Sequence, residues 1–439
     1  MPGNIRKSLL QFIFSGSYMK RWNDKLRPTE LIEIDKQAHK MIAAWMLCRL
    51  EGRDKSPEER LRLEEQVVEG GIFDYLFRLV ITDIKPPILY RIKANPEHYA
   101  RLSSWAIAEA EPLVRPLSEE FWQRFQETVR KTTVPGRAGE ILAAAHLYSS
   151  MWEFRLLRRL NAFDPEMEEI DQSFIAQLRD RSYLRGVPEL LAGFPDTGHS
   201  NGEDTGAASD PARSARPHCP SALAGFANLC GQLRFQKRWS QTPRIPETSV
   251  MGHMFIVACY AYFLSLRLGA CRARRVNNFF SGLFHDLPEL LTRDIISPVK
   301  KSFSGLGQLI REYEISELDR RVFTPLNAEG LYCITERLRY YLGLDTGSEF
   351  DDAVMRENKA GKVDFMELNE NCNMDSLDPK DGEALKICDI LAAYIEAYTA
   401  MRNGITSDHI QQAFWRMREQ NAKKMLGAFH IGALFSDFD

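Results

Sequence analysis

Apolar residues recur at i, i+3 and i+4 in the stretches 38–50, 141–160, 254–268, 306–323, 329–342, 385–401 and 410–425. That is the period of a helix burying one face, so each stretch predicts an amphipathic helix. No run alternates apolar and polar residues over a strand's length, and no Asn-Gly or Asp-Gly pair joins two β-branched runs. The pattern predicts an all-α protein. One segment breaks it. FPDTGHSNGEDTGAASDPARSARPHCP, residues 194–220, carries almost no large apolar side chain and buries too little surface to offset its ordering entropy. A flexible linker over 196–220 is expected, dividing the chain into 1–195 and 221–439.

The two halves share short elements in the same order. Lys20-Arg21-Trp22 and Lys237-Arg238-Trp239 each follow an amphipathic segment and precede a helix with a histidine, His39 or His253. Thr82-Asp83-Ile84 and Arg293-Asp294-Ile295 come next, then Glu140-Ile141-Leu142-Ala143-Ala144 and Asp389-Ile390-Leu391-Ala392-Ala393. Three matches in one order predict a duplication.

Composition narrows the function. Fifty-seven Lys and Arg against 60 Asp and Glu give a net charge of −3, which argues against a dedicated nucleic-acid or anionic-membrane binder. The apolar run Met254–Leu266 is too short to span a bilayer, and the basic, aromatic N-terminus has no A-x-A cleavage site. Eight cysteines with no CxxC pair read as reduced, mostly buried thiols. A cytoplasmic protein without structural zinc is expected.

The sharpest chemical signal is His253, then His285-Asp286-Leu287-Pro288-Glu289, then Asp389. Neighbouring side chains on a helix point about 100° apart, so His285 and Asp286 share a ligand only if the helix breaks there, and Pro288 supplies the break. Two nitrogens and two carboxylates suit Mn, Fe, Co, Zn or Mg with water positions left open. The same residues also fit ordinary structure: Asp286 and Glu289 as a capping box, His253 as a core histidine, Asp389 as half of an ion pair. Spacing alone leaves both readings open.

The stretch Arg238–Lys300 resembles the HD-domain phosphohydrolase superfamily, in particular its bacterial 5′-deoxynucleotidase branch. Arg238-Trp239, His253, HDLPELLTRDIISPVK from His285 to Lys300, and Lys386–Tyr394 carry the resemblance, which extends over most of 221–425. It implies tandem HD-like helical bundles with metal only in the second, held as one divalent ion by His253, His285, Asp286 and Asp389. It further implies Glu289 as catalytic acid/base, Asp294 beside the substrate, and Arg238, with Trp239, at the substrate phosphate. The sequence departs from the family in having Gly252 where an acidic residue often precedes the first histidine. It also carries an insertion at about 302–362, expected to be surface decoration, in which Asp364 rivals Asp389 as last ligand.

The expected activity is release of phosphate from a small phosphorylated substrate, foremost a (deoxy)nucleoside 5′-monophosphate. The alternatives are an alarmone-type pyrophosphate hydrolase, disfavoured by Leu290 where those enzymes have Asp, and a nucleotide-binding scaffold of the same fold. In the first half the repeats set Asp74-Tyr75 opposite His285-Asp286, Arg78 opposite Glu289 and Glu140 opposite Asp389. A metal-free copy is expected there, with His39 a packed remnant. The halves are expected to pair as an intrachain pseudo-dimer, with a homo-oligomer as the other possibility.

Overall fold

A computed structural model describes residues 4–194, 221–292 and 305–438. The proposed linker, Arg293, Asp294 and Lys300 lie outside them. The first half holds α1 (Lys7–Phe14), α2 (Glu33–Glu51), α3 (Pro57–Ile81), α4 (Pro86–Ala94) and α5 (Pro96–Val114). Then come α6 (Glu119–Arg130), α7 (Gly136–Leu157), α8 (Glu166–Arg179) and α9 (Val187–Ala192). The second half begins with α10 (Ala222–Gln232), α11 (Val250–Arg267), α12 (Arg272–Phe284) and α13 (Glu289–Thr292). It continues through α14 (Leu306–Leu318), α15 (Thr324–Ala328), α16 (Tyr332–Tyr341), α17 (Phe365–Glu370), α18 (Gly382–Arg402), α19 (Asp408–Asn421) and α20 (Gly432–Ser436).

The described residues are all-α apart from two small antiparallel hairpins, Ala353–Arg356 with Lys359–Lys362 and Met425–Leu426 with Phe429–His430. The first lies in the insertion, where Glu357 and Asn358 both take positive φ, as a tight two-residue hairpin turn requires.

α11 is the hub of the second half. Ser249 caps it by accepting from the Gly252 amide at 2.9 Å, and its apolar residues are buried nearly all round, so neighbours must cover every face. α12 and α18 do so within the half, while α2 and α1 do so from the other half. α12 approaches closely because Gly282 has no side chain: a Cβ there would sit 2.7 Å from the Ala258 Cα. One turn later, that proximity delivers His285 to His253.

The halves meet through like elements. α2 lies against α11 and α3 against α12, while α1 packs on α11 and its counterpart α10 packs on α2. The Tyr260 hydroxyl donates to Leu10 O at 2.8 Å, and His39 Nε2 lies 3.1 Å from Ala227 O. One apolar core runs from Ile5 to Phe438 without a gap between the halves.

Candidate metal centre

α12 ends at Phe284, and the chain turns through His285–Pro288 before α13 starts at Glu289, with Leu287 N bonded to Phe284 O at 2.9 Å. The break at Pro288 frees His285 and Asp286 from helical spacing, and both reach one point. His253 Nε2 lies 2.9 Å from Asp389 Oδ1 and 3.8 Å from Asp286 Oδ2. His285 Nε2 lies 3.2 Å from Asp286 Oδ2 and 3.9 Å from Asp389 Oδ1. Asp364 is spent elsewhere, capping α17 through the Glu367 amide.

The donors of this set suit a cation. His285 Nδ1 sits 2.8 Å from Gly282 O, the position in which it carries the ring proton, so in the neutral ring Nε2 presents a lone pair. That buried nitrogen has no hydrogen-bond partner, yet two carboxylates face it. Burial works against a charge on His285, but Asp286 and Asp389 outweigh it and raise its pKa to about 9. The same imidazoles hold the Asp286 and Asp389 carboxyls below their ordinary values against the opposing effect of burial. Imidazole nitrogens and carboxylates that converge on one point, held together by protons when no metal is there, are a donor set in which a divalent ion can take the protons' place.

Arg238 borders the centre, its Nη1 3.4 Å from Asp286 Oδ2 and its Nε 3.3 Å from Glu396 Oε2. Glu396 went unnoticed in the sequence. Fully buried on α18, it accepts from Trp239 Nε1 at 2.8 Å and Thr248 Oγ1 at 2.7 Å. Burial opposes its charge, but Arg238 and Arg244 prevail and its pKa falls to about 2. It stands seven residues after Asp389, two helical turns, so the i, i+7 carboxylate pair was the available signal. Trp239 is thus a positioning residue through its indole N–H.

The missing acid before His253 is supplied by the other half. A Cβ on Gly252 would meet Asp35 Oδ1 at 2.7 Å, and Asp35 accepts from Ser249 Oγ at 2.5 Å. Burial raises the Asp35 pKa to about 6.

The insertion is not surface decoration. Arg311, Ile315 and Leu318 of α14, with Leu342, Leu344 and Glu349, face His285, Asp286 and Glu289 across a cleft. Thr292 Oγ1 donates to Glu314 at 2.9 Å, tying α13 to α14. The sequence obscured this because the insertion is far in number from its neighbours. Asp294 lies outside the described residues.

Residues 230–418 match the family model described as HD domain. No curated protein and no solved structure matches. HD domains are in general metal-dependent hydrolases that hold a divalent ion, and in this chain His253, His285 and Asp389 have ligand atoms within 4.8 Å of one another.

The first half repeats the local frame. Trp22 and Trp239 share φ 55°, and single bridges Lys20–Ile32 and Lys237–Ser249 precede α2 and α11. Glu153 binds Arg21 Nε at 2.8 Å and Trp22 Nε1 at 3.1 Å, as Glu396 binds Arg238 and Trp239. In this register the residue matching His253 is Lys36, the fourth of its helix, and not His39. Counting back seven residues from Glu153, the residue matching Asp389 is His146 and not Glu140. Matching by tripeptides erred because the Glu140 and Asp389 elements sit at different heights on α7 and α18. Gly71, three residues before Asp74, faces Met41 of α2 as Gly282 faces Ala258, which sets Asp74 and Tyr75 opposite His285 and Asp286. His39 instead sits in the interface, 3.1 Å from Arg234 Nη2, where burial and that guanidinium lower its pKa to about 3.

Proposed function

We propose that the HD domain releases phosphate from a small phosphomonoester, foremost a (deoxy)nucleoside 5′-monophosphate, and that the first half is a second copy of the same framework without its metal ligands. The observation that carries the reading is the convergence of His253, His285, Asp286 and Asp389 beside an arginine and an open cleft. When bound, the divalent ion supplies positive charge to the phosphoryl oxygens and acidifies water.

The chain's own groups do the rest. Arg238 is oriented by Glu396, and its planar fork suits two phosphate oxygens. Glu289, in the wall beside Asp286, takes a proton from the attacking water or passes one to the leaving ribose oxygen. α14 with the Leu342–Glu349 segment lines the cleft beside Glu289 and forms the wall facing the leaving group.

The test is phosphate release from a panel of phosphorylated metabolites, with Mn, Co, Fe, Zn or Mg added to chelated protein. Metal-dependent release lost in Asp286→Asn supports the reading. Pyrophosphate release from nucleotide pyrophosphates alone would favour the alarmone-type alternative, and no release from any substrate would favour a scaffold.

A further inference from the structure

Where the second half gathers carboxylates, the first gathers cations. Lys36, 1% exposed, projects its ammonium to 2.5 Å from His146 Nδ1, the same pairing of positions as His253 with Asp389. No carboxylate oxygen lies within 4.0 Å of Lys36 Nζ among the described residues. Lys40, equally buried, reaches Asp74 at 2.7 Å. Arg21 is held by Glu33 and Glu153, and Arg78 by Glu33 and Asp83.

The centre is buried at its base and open above. His146 is exposed as a residue although burial weighs on its ring, and the Asp74 side chain is 46% exposed. Lys36 first, then burial, Lys40, Arg21 and Lys93 all depress the His146 pKa, so the field at this imidazole is positive. Burial pushes the Lys36 ammonium well below the ordinary lysine range against the pull of Glu33 and Glu153, a cost that a dianion from solvent would relieve.

The frame that presents the phosphate-facing arginine is retained as well. Arg21-Trp22 keeps the left-handed Trp and the buried glutamate of Arg238-Trp239. Tyr75, standing where Asp286 does, turns inward and donates to Ile13 O at 2.6 Å, which removes a carboxylate that would repel an anion.

We propose that the first half is a metal-independent binding cleft for a phosphate monoester, with the Lys36 ammonium in the place its counterpart gives to the metal. The ligand class rests on the phosphomonoester reading above. Without a metal or a carboxylate at the Arg78 position, the cleft binds and does not hydrolyse.

The full-length protein, stripped of metal with a chelator, is titrated with inorganic phosphate and with phenyl phosphate by calorimetry, with sulfate as control. One saturable site is expected, weakened at least tenfold in Lys36→Met and unchanged in His285→Ala. Lys36→Met should retain metal-dependent phosphate release by the second half. His146→Ala, which leaves the ammonium in place and removes its neighbour, serves as second variant if Lys36→Met loses its helical circular dichroism. Absence of saturable binding to wild type, binding indifferent to Lys36→Met and His146→Ala, or binding lost only in His285→Ala overturns the proposal. Because binding is read without metal, it can fail while phosphate release succeeds, and the reverse.

Discussion

Asp35 offers a perturbation whose sign and size follow from its surroundings. Its carboxyl is 2% exposed, wedged against Gly252 at the start of α11, and burial raises its pKa from 3.8 to about 6. An acid with a raised folded pKa binds its proton more tightly folded than unfolded. Between those two values folding takes up protons, so the contribution of Asp35 to stability falls as pH rises. At about 1.4 kcal/mol per pH unit, the loss between pH 4 and pH 7 is roughly 2–3 kcal/mol. Asp35→Asn keeps the shape and an oxygen for the Ser249 hydroxyl but does not titrate. Urea unfolding of both proteins at several pH values isolates the effect, since other titrating groups cancel in the difference. The variant should gain roughly 2–3 kcal/mol relative to wild type from pH 4 to pH 7. Parallel curves, or a gain in the opposite direction, would refute the burial argument.

Three further outcomes test the site. Glu396→Ala leaves the Arg238 guanidinium and the Trp239 indole without their buried acceptor, and should cost about 3–5 kcal/mol in denaturant unfolding; Glu396→Gln, which keeps an acceptor oxygen, should cost less and raise KM more than it lowers kcat. Glu289→Gln should retain its metal by elemental analysis and lose on the order of 10²–10⁴ in turnover. Arg311→Ala should leave metal content unchanged and alter kcat/KM about tenfold between phosphomonoesters with different leaving groups, the effect of ~1.5 kcal/mol for a bond to a charged group; uniform kcat/KM across leaving groups would remove α14 from the substrate wall.

The ligand cluster was legible because chemistry and local breakage coincide in it: His285-Asp286 is useful to a metal only at a helix end, and Pro288 marks that end. The helices were legible too. The stretch 385–401 lies inside α18 and 254–268 falls on α11 but for its last residue, since burial of one face imposes its period on the sequence. Glu396 was not legible, because a fully buried glutamate two turns along an apolar helix looks like any charged residue until its partners Arg238, Trp239 and Thr248 arrive from 148–158 positions away. Lys36 was passed over for His39 for a related reason. A histidine at about the right place is a stronger pattern than a lysine, but register on a helix is set by its hydrogen-bonded start, and an error of three residues moves the position one turn along the same face, here into the interface beside Arg234.

The sequence by itself determined the all-α class, the break that presents His285 and Asp286, and the residue types able to hold a divalent ion, because each follows from local period, local breakage or ligand chemistry. Only the tertiary structure decided which copy of the frame carries which charge. Asp35 stands in for the acid missing at Gly252, α14 closes the cleft over Glu289, and Lys36 meets His146 where His253 meets Asp389. All three depend on contacts between segments far apart in number, and those are set by the packing of α2 on α11 and of α12 in the space left by Gly282, which no local pattern specifies.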